Sequence, residues 1–192
     1  MRRLTRPIHV LLAALLLWAP AGAALDIVHE ADFRRAAIRY LPMATSAWGH
    51  EILAAQCYQE SLFDSDAVSP VGAMGLCQFM PATWDEAVSG LGWARGASAF
   101  DPKLSILAAA WYMQRQRSIW KSPRPEWDRH TLAMAGYNAG AGNILAAQRE
   151  AGGALMACSI LGQLHRVTGH HATETRTYVR RIWRWHRQMM VL

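Results

Sequence analysis

Cysteine is scarce in this 192-residue chain: Cys57, Cys77 and Cys158. No two of them stand in CxxC spacing, which argues against a cysteine zinc site. Each can be read as a small buried hydrophobe. Their odd number leaves at least one free, or paired between chains, in an exported protein. Lysine is scarcer still. Lys103 and Lys121 are the two lysines among 20 basic residues and the rest are arginine, an imbalance that does not by itself indicate a function. There is no HExxH pattern. His165, His170, His171 and Glu174 alone therefore make a weak metal site, and neither a metal nor any other cofactor is expected. A nucleic-acid-binding motif, an internal repeat, a low-complexity tract and a sustained period-2 strand pattern are also missing. Aside from the first residues, no stretch is long and apolar enough to span a bilayer.

The exception at the start has the shape of an export signal. Arg2, Arg3 and Arg6 precede an apolar run from Ile8 to Ala19 that is too short for a stable span, and Ala21-Gly22-Ala23 is an A-x-A cleavage site. Residues 1–23 are read as a signal peptide and 24–192 as one domain, large enough to enclose a core. The competing reading is an uncleaved anchor. The formal charge of +6 includes the three leading arginines, so the domain keeps 6 − 3 = +3.

The rest reads as all-α. Helices are expected over about Ala31–Tyr40, Trp48–Leu62, Asp128–Tyr137, Asn143–Arg149, Ala154–Val167 and Thr173–Met190. A short helix is expected from Leu76 and another from Pro81. Asp101-Pro102 is an N-cap followed by proline at the first helical position, opening a helix to about Trp120. The segment Asp64–Gly75 has room for a very short hairpin. The final helix has the clearest pattern. Tyr178, Ile182, Trp185 and Met189 form an apolar stripe, with Arg176, Arg180, Arg184 and Arg187 opposite. That arginine face reads as solvated; the alternative, with Trp183 and Trp185, is contact with a wall or membrane surface.

Glu60 is the leading candidate for chemistry. Leu53, Cys57 and Glu60 are spaced i, i+4, i+7, placing the carboxylate on an apolar helix face, with Ile52 and Gln56 flanking it. Desolvation disfavours the charged form, so such a carboxyl can keep a proton near neutral pH and donate it. The plainer reading is a solvated glutamate at a helix end. Downstream, Ser69-Pro70-Val71-Gly72-Ala73-Met74-Gly75 is turn chemistry. It leads into Leu76-Cys77-Gln78-Phe79-Met80-Pro81, an apolar run with one amide, Gln78. That amide is either a surface group or a buried one in need of partners. Gly136-Tyr137-Asn138-Ala139-Gly140 and Glu174-Thr175-Arg176-Thr177-Tyr178-Val179 follow.

These four blocks, in this order, resemble the soluble-type lytic transglycosylases, over roughly Ile52 to Val179. The resemblance implies a lysozyme-like fold, all-α or at most α+β, with a motif core over about 48–182. It implies Glu60 as the catalytic residue at a helix end facing a sugar groove. It also implies Ser69, Gln78, Met80, Tyr137, Asn138, Glu174 and Tyr178 as groove residues. Two departures stand out: Cys77 occupies a usual Met position, and Gly136 a usual Ala position. If Glu60 and Gln78 face one groove, their neighbours Cys57 and Cys77 are brought close enough to pair.

Glycoside cleavage commonly uses two carboxylates. Asp64, Asp66, Asp85 and Glu86 are the nearest to Glu60 in sequence, and Asp64 and Asp66 read better as turn residues. The family mechanism explains the shortage, because a lytic transglycosylase uses one glutamate twice and makes a 1,6-anhydro product. The expectation is an exported, periplasmic or secreted, monomeric enzyme whose partner is the peptidoglycan glycan strand, with no nucleic-acid partner. Any membrane contact would run through the C-terminal Arg/Trp helix. Mild basicity fits an acidic wall polymer or an anionic membrane equally well. The alternatives are a hydrolytic muramidase and a non-catalytic wall-binding module.

Overall fold

The computed structural model describes residues 25–191. The signal-peptide reading lies outside these residues. The described chain forms ten helices: α1 Glu30–Tyr40, α2 Pro42–Trp48, α3 Glu51–Ser61, α4 Pro81–Gly90, α5 Pro102–Ser118, α6 Glu126–Ala139, α7 Ala141–Glu150, α8 Ala157–Gly162, α9 His165–Thr168 and α10 His171–Met189. Extended pairing among these residues is limited to the isolated bridges Val68–Met74 and Met74–Phe79.

α3 runs through the centre of the domain. Ile52 to Cys57 are six consecutive buried residues, so this helix is enclosed on all sides rather than striped. The small residues Ala54 and Ala55 let its neighbours approach. α10 packs along it, α1, α2 and α5 close other sides, and α6 bridges α5 and α10. α6 is nearly as enclosed, with every residue from His130 to Ala139 buried. α10 is amphipathic as its pattern requires. Tyr178, Ile182, Trp185 and Met189 are buried, and Arg180, Arg184 and Arg187 are exposed.

Local chemistry explains several boundaries. Asp101 caps α5: its Oδ1 accepts from the Leu104 N–H at 3.0 Å, with Pro102 in the first turn. Pro42 does not end a helical region but opens α2, where a missing N–H costs nothing. Asp128 is not the cap of α6. It lies in the first turn, and its Oδ1 accepts from the Ala157 N–H at 2.6 Å, tying α6 to the start of α8. The expected helix over Ala154–Val167 is split into α8 and α9 by a turn at Gln163–Leu164.

The largest difference from expectation is at Leu76. There is no helix there. Met74 and Phe79 exchange both backbone hydrogen bonds at 2.9 Å, enclosing a four-residue loop, Gly75-Leu76-Cys77-Gln78. Gly75 has φ 71°, and a Cβ there would meet the Ala99 carbonyl oxygen at 2.0 Å. The loop thus needs glycine both for its conformation and for its contact with the chain before α5.

Candidate active site

Two positive-φ positions end α3. Leu62 (φ 59°) and Phe63 (φ 66°) turn the chain sharply after Ser61. Left-handed conformations at non-glycine residues persist only where surrounding structure holds them, and they gather at functional sites. The turn leaves Glu60 in the last turn of α3, at the wall of a cavity of about 360 Å³. Gln59, Asp64, Asp66, Arg181 and Trp185 line the same cavity.

The Glu60 carboxyl is held by α10. The buried Tyr178 hydroxyl donates to Glu60 Oε1 at 2.6 Å. Burial pushes the Glu60 pKa from its ordinary 4.5 up to about 8, and the Tyr178 hydrogen bond opposes that rise without cancelling it. The residue keeps partial contact with the cavity, so a carboxylic acid protonated at neutral pH faces a space open to a ligand. Next to it, Trp185 Nε1 donates to Gln59 Oε1 at 2.9 Å, fixing the orientation of α10 on α3.

The 75–78 loop forms a second wall. Cys57 and Cys77 are joined by a disulfide, with Cα atoms 4.5 Å apart. The Ser61 hydroxyl donates to the Leu76 carbonyl at 2.7 Å. The Cys77 N–H donates to Ser105 Oγ at 3.2 Å, and the Tyr137 hydroxyl donates to the Cys77 carbonyl at 2.9 Å. Gln78, at φ 50°, directs its amide nitrogen to the carbonyls of Ala67 (3.1 Å) and Gly75 (2.9 Å). α3, α5 and α6 therefore all clamp this one loop. Ser61 begins the clamp one residue after Glu60, so the acid and the loop share a frame.

Gln78, Met80 and Tyr137 border a smaller cavity of about 110 Å³, together with Thr83, Tyr112 and Gly136. The amide of Gln78 and the hydroxyl of Tyr137 bind protein backbone; the buried amide has found its partners within the loop rather than lying on a surface. Ser69 is 5 % exposed, and its Oγ accepts from the Ala73 N–H at 2.9 Å. Asn138 is buried one residue beyond Tyr137. Glu174 lies one turn before Tyr178 on α10, with Oε2 3.5 Å from His171 Nδ1, and borders neither cavity. At Gly136 a Cβ would meet Gln116 Oε1 at 2.6 Å, so a larger residue there would require the Gln116 side chain to shift. Cys158 is exposed on α8.

Arg181 and Trp185 belong to this site although their residue types alone did not mark them as such. Arg181 interrupts the apolar stripe of α10 three residues after Tyr178, a signal present in the spacing. Gln59 was visible only as the residue before Glu60.

Residues 42–157, more than half of the chain, match the family model described as the Transglycosylase SLT domain. The chain belongs to that family. Over 99 residues, 52 % of this chain, it is 35 % identical to the membrane-bound lytic murein transglycosylase F of Alcanivorax borkumensis, covering 20 % of that protein. Its likeness to the membrane-bound lytic murein transglycosylase F of Yersinia pestis (strain Pestoides F) is 38 % over 99 residues, covering 19 % of that protein. Among solved structures, it superposes on an inactive mutant of lytic transglycosylase Slt from Pseudomonas aeruginosa with a TM-score of 0.65 and 26 % identity. That match covers 84 % of this chain and 24 % of the other. The 70 kDa soluble lytic transglycosylase of Escherichia coli gives 0.64 and 25 %, covering 85 % and 24 %. The chain thus spans about a fifth of the curated relatives and about a quarter of the solved structures. The helical, lysozyme-like fold of the SLT transglycosylase family is the fold of this domain.

Tyr178 both packs its ring in the core and donates its hydroxyl to Glu60. Tyr178→Phe is expected to leave the fold intact and lower peptidoglycan cleavage by roughly ten- to a thousandfold, the range for losing one positioning contact at a reacting group. Turbidity clearance by the purified variant checks this. A wild-type rate would reduce Tyr178 to a core residue.

Proposed function

We propose that the protein is an exported peptidoglycan lytic transglycosylase. It cleaves the β-1,4 bond between N-acetylmuramic acid and N-acetylglucosamine and releases a 1,6-anhydromuramic end. The observation that carries this reading is Glu60: a carboxylic acid with its pKa raised to about 8, hydrogen-bonded by Tyr178, at the wall of a cavity.

Glu60 acts twice. As an acid it gives its proton to the glycosidic oxygen, the C1–O bond breaks, and N-acetylglucosamine leaves with its 4-hydroxyl restored. The acetamido oxygen of the muramic residue stabilises the positive charge at C1. The Glu60 carboxylate then takes the proton of the muramic C6 hydroxyl as O6 bonds to C1. The 1,6-anhydro ring closes, Glu60 is protonated again, and no water is consumed. A group that must be an acid first and a base second works best with a pKa near the operating pH, and burial supplies that value here.

Asp64 and Asp66 border the same cavity, the arrangement a hydrolytic muramidase would exploit as a second acid. Asp64 Oδ1, however, accepts from the Asp66 N–H at 2.9 Å, so this carboxylate is engaged in shaping its own turn. Both residues are exposed. The single-glutamate route therefore fits the site better.

The periplasmic setting rests on the signal-like start and on relatives that act on murein. Among the described residues no helix is long and apolar enough to cross a membrane. Incubating the purified domain with isolated peptidoglycan separates an enzyme from a wall-binding module: clearing with release of soluble fragments is expected, and co-sedimentation without release would refute catalysis.

A further inference from the structure

Gln56 is 1 % exposed in the middle of α3, one turn before Glu60. Its neighbours Ile52, Leu53, Ala54, Ala55 and Cys57 are apolar and buried. Neither of its amide atoms, Nε2 or Oε1, meets hydrogen-bond geometry with another group among the described residues. A buried amide left without partners is costly, and an apolar residue of the same shape would remove that cost. The position is therefore one where packing alone argues for leucine or methionine.

The location supplies the reason for an amide. Gln56 and Glu60 are i, i+4 on one helix and share a face. α10 packs on α3 and brings the fully buried Tyr178 hydroxyl to 2.6 Å from Glu60 Oε1. Having donated its proton, that hydroxyl oxygen can still accept. Burial, then the charges of Glu60 and Tyr137, raise the Tyr178 phenol well above its usual range, while the Gln56 amide acts on it in the opposite direction. The Gln56 amide is thus close enough to the phenol to favour its ionised form.

We propose that Gln56 is a positioning residue for the general acid, its amide N–H donating to the Tyr178 oxygen so that Tyr178 holds the Glu60 carboxyl through Oε1. A donor to the phenol oxygen polarises the O–H and strengthens the bond it gives to Glu60. This favours the charged carboxylate and limits how far burial raises the Glu60 pKa. It also fixes the carboxyl in one orientation. The other titratable groups around Glu60 are Arg181 from α10, Tyr137 from α6, and Asp64 and Asp66 from the loop after α3. A Gln56 substitution alters none of them.

This inference rests on the proposed role of Glu60 as acid, so the test has a readout that does not need turnover. The Glu60 carboxyl is titrated by ¹³C NMR in wild type, Gln56→Leu, Tyr178→Phe and the double variant, and kcat is measured against pH in parallel. Gln56→Leu is expected to fold as wild type does, because leucine suits the apolar, buried surroundings of residue 56 on α3. Its Glu60 pKa and the basic limb of kcat should move up together by roughly half a pH unit or more, as expected for weakening a hydrogen bond to the charged form. In the Tyr178→Phe background, Gln56→Leu should add no shift. Gln56→Met repeats the test if leucine disturbs packing. An unchanged Glu60 titration in Gln56→Leu, or an equal shift with and without the tyrosine hydroxyl, overturns the proposal. If wild type titrates as described but does not cleave peptidoglycan, the functional reading fails and the relay stands.

Discussion

Glu60→Gln is expected to abolish peptidoglycan cleavage and, at neutral pH, to raise the melting temperature. The amide keeps the shape of the acid, and its oxygen still accepts from Tyr178, but it has no proton to transfer. Loss of turnover by a factor of a thousand or more is the scale expected when the group that moves the proton in both steps is removed. The stability gain follows from linkage. Unfolded, Glu60 titrates near 4.5; folded, near 8. Between these values the native state binds more protons than the unfolded state, so stability falls as pH rises. The favourable contribution of the raised pKa is fully present below pH 4.5 and is lost as pH passes through about 8. Glutamine carries no such dependence. The two proteins should therefore melt together near pH 4, and the variant should gain progressively up to pH 8. At this chain length each kcal/mol corresponds to about 2–4 °C. Calorimetry across that range checks the claim. A Glu60→Gln variant that is less stable than wild type at pH 8 would contradict the burial account, and one that retains activity would contradict the catalytic one.

Replacing both Cys57 and Cys77 with alanine should have the largest effect on stability. The bond joins residues 20 apart. Closing a loop of that size contributes on the order of 3 kcal/mol by constraining the unfolded chain. The melting temperature should fall by roughly 6–12 °C. Activity should fall as well, because the disulfide is one of the anchors of the 75–78 loop, and that loop carries Gln78 and accepts the Tyr137 hydroxyl. Thermal unfolding and clearance assays on the double variant measure both. An unchanged melting temperature would mean that the hydrogen bonds from Ser61, Ser105 and Tyr137 hold the loop unaided.

Where the determinants are local, they were legible in the sequence. Asp101-Pro102 announced both the cap and the start of α5, and the Tyr178, Ile182, Trp185, Met189 stripe set the face of α10. The apolar face of α3 marks Glu60 as a carboxyl held against apolar surface, and burial there raises its pKa to about 8. The misreadings arose where a distant contact decides. Leu76-Cys77-Gln78-Phe79 resembles one turn of apolar helix, but the loop is set by Gly75 against the Ala99 carbonyl and by the pairing of Met74 with Phe79. Asp128 has the chemistry of a helix cap, yet its carboxylate is committed to Ala157, 29 residues away. Tyr137 and Gln78 border the smaller cavity, and their side-chain hydrogen bonds to the backbone of the site itself, from Tyr137 to Cys77 and from Gln78 to Ala67, are features that local sequence does not carry. Arg181 lies outside the arginine face of Arg176, Arg180, Arg184 and Arg187, and its place at the Glu60 cavity depends on how α10 packs on α3.

The central claim is that Glu60 works alone and that the muramic C6 hydroxyl, not water, attacks C1. Digesting peptidoglycan and weighing the fragments tests it most directly. The account predicts disaccharide-peptides lighter by one water than muramidase products and lacking a reducing end. Predominantly hydrated, reducing products would contradict it and direct attention to Asp64 and Asp66 as the second acid.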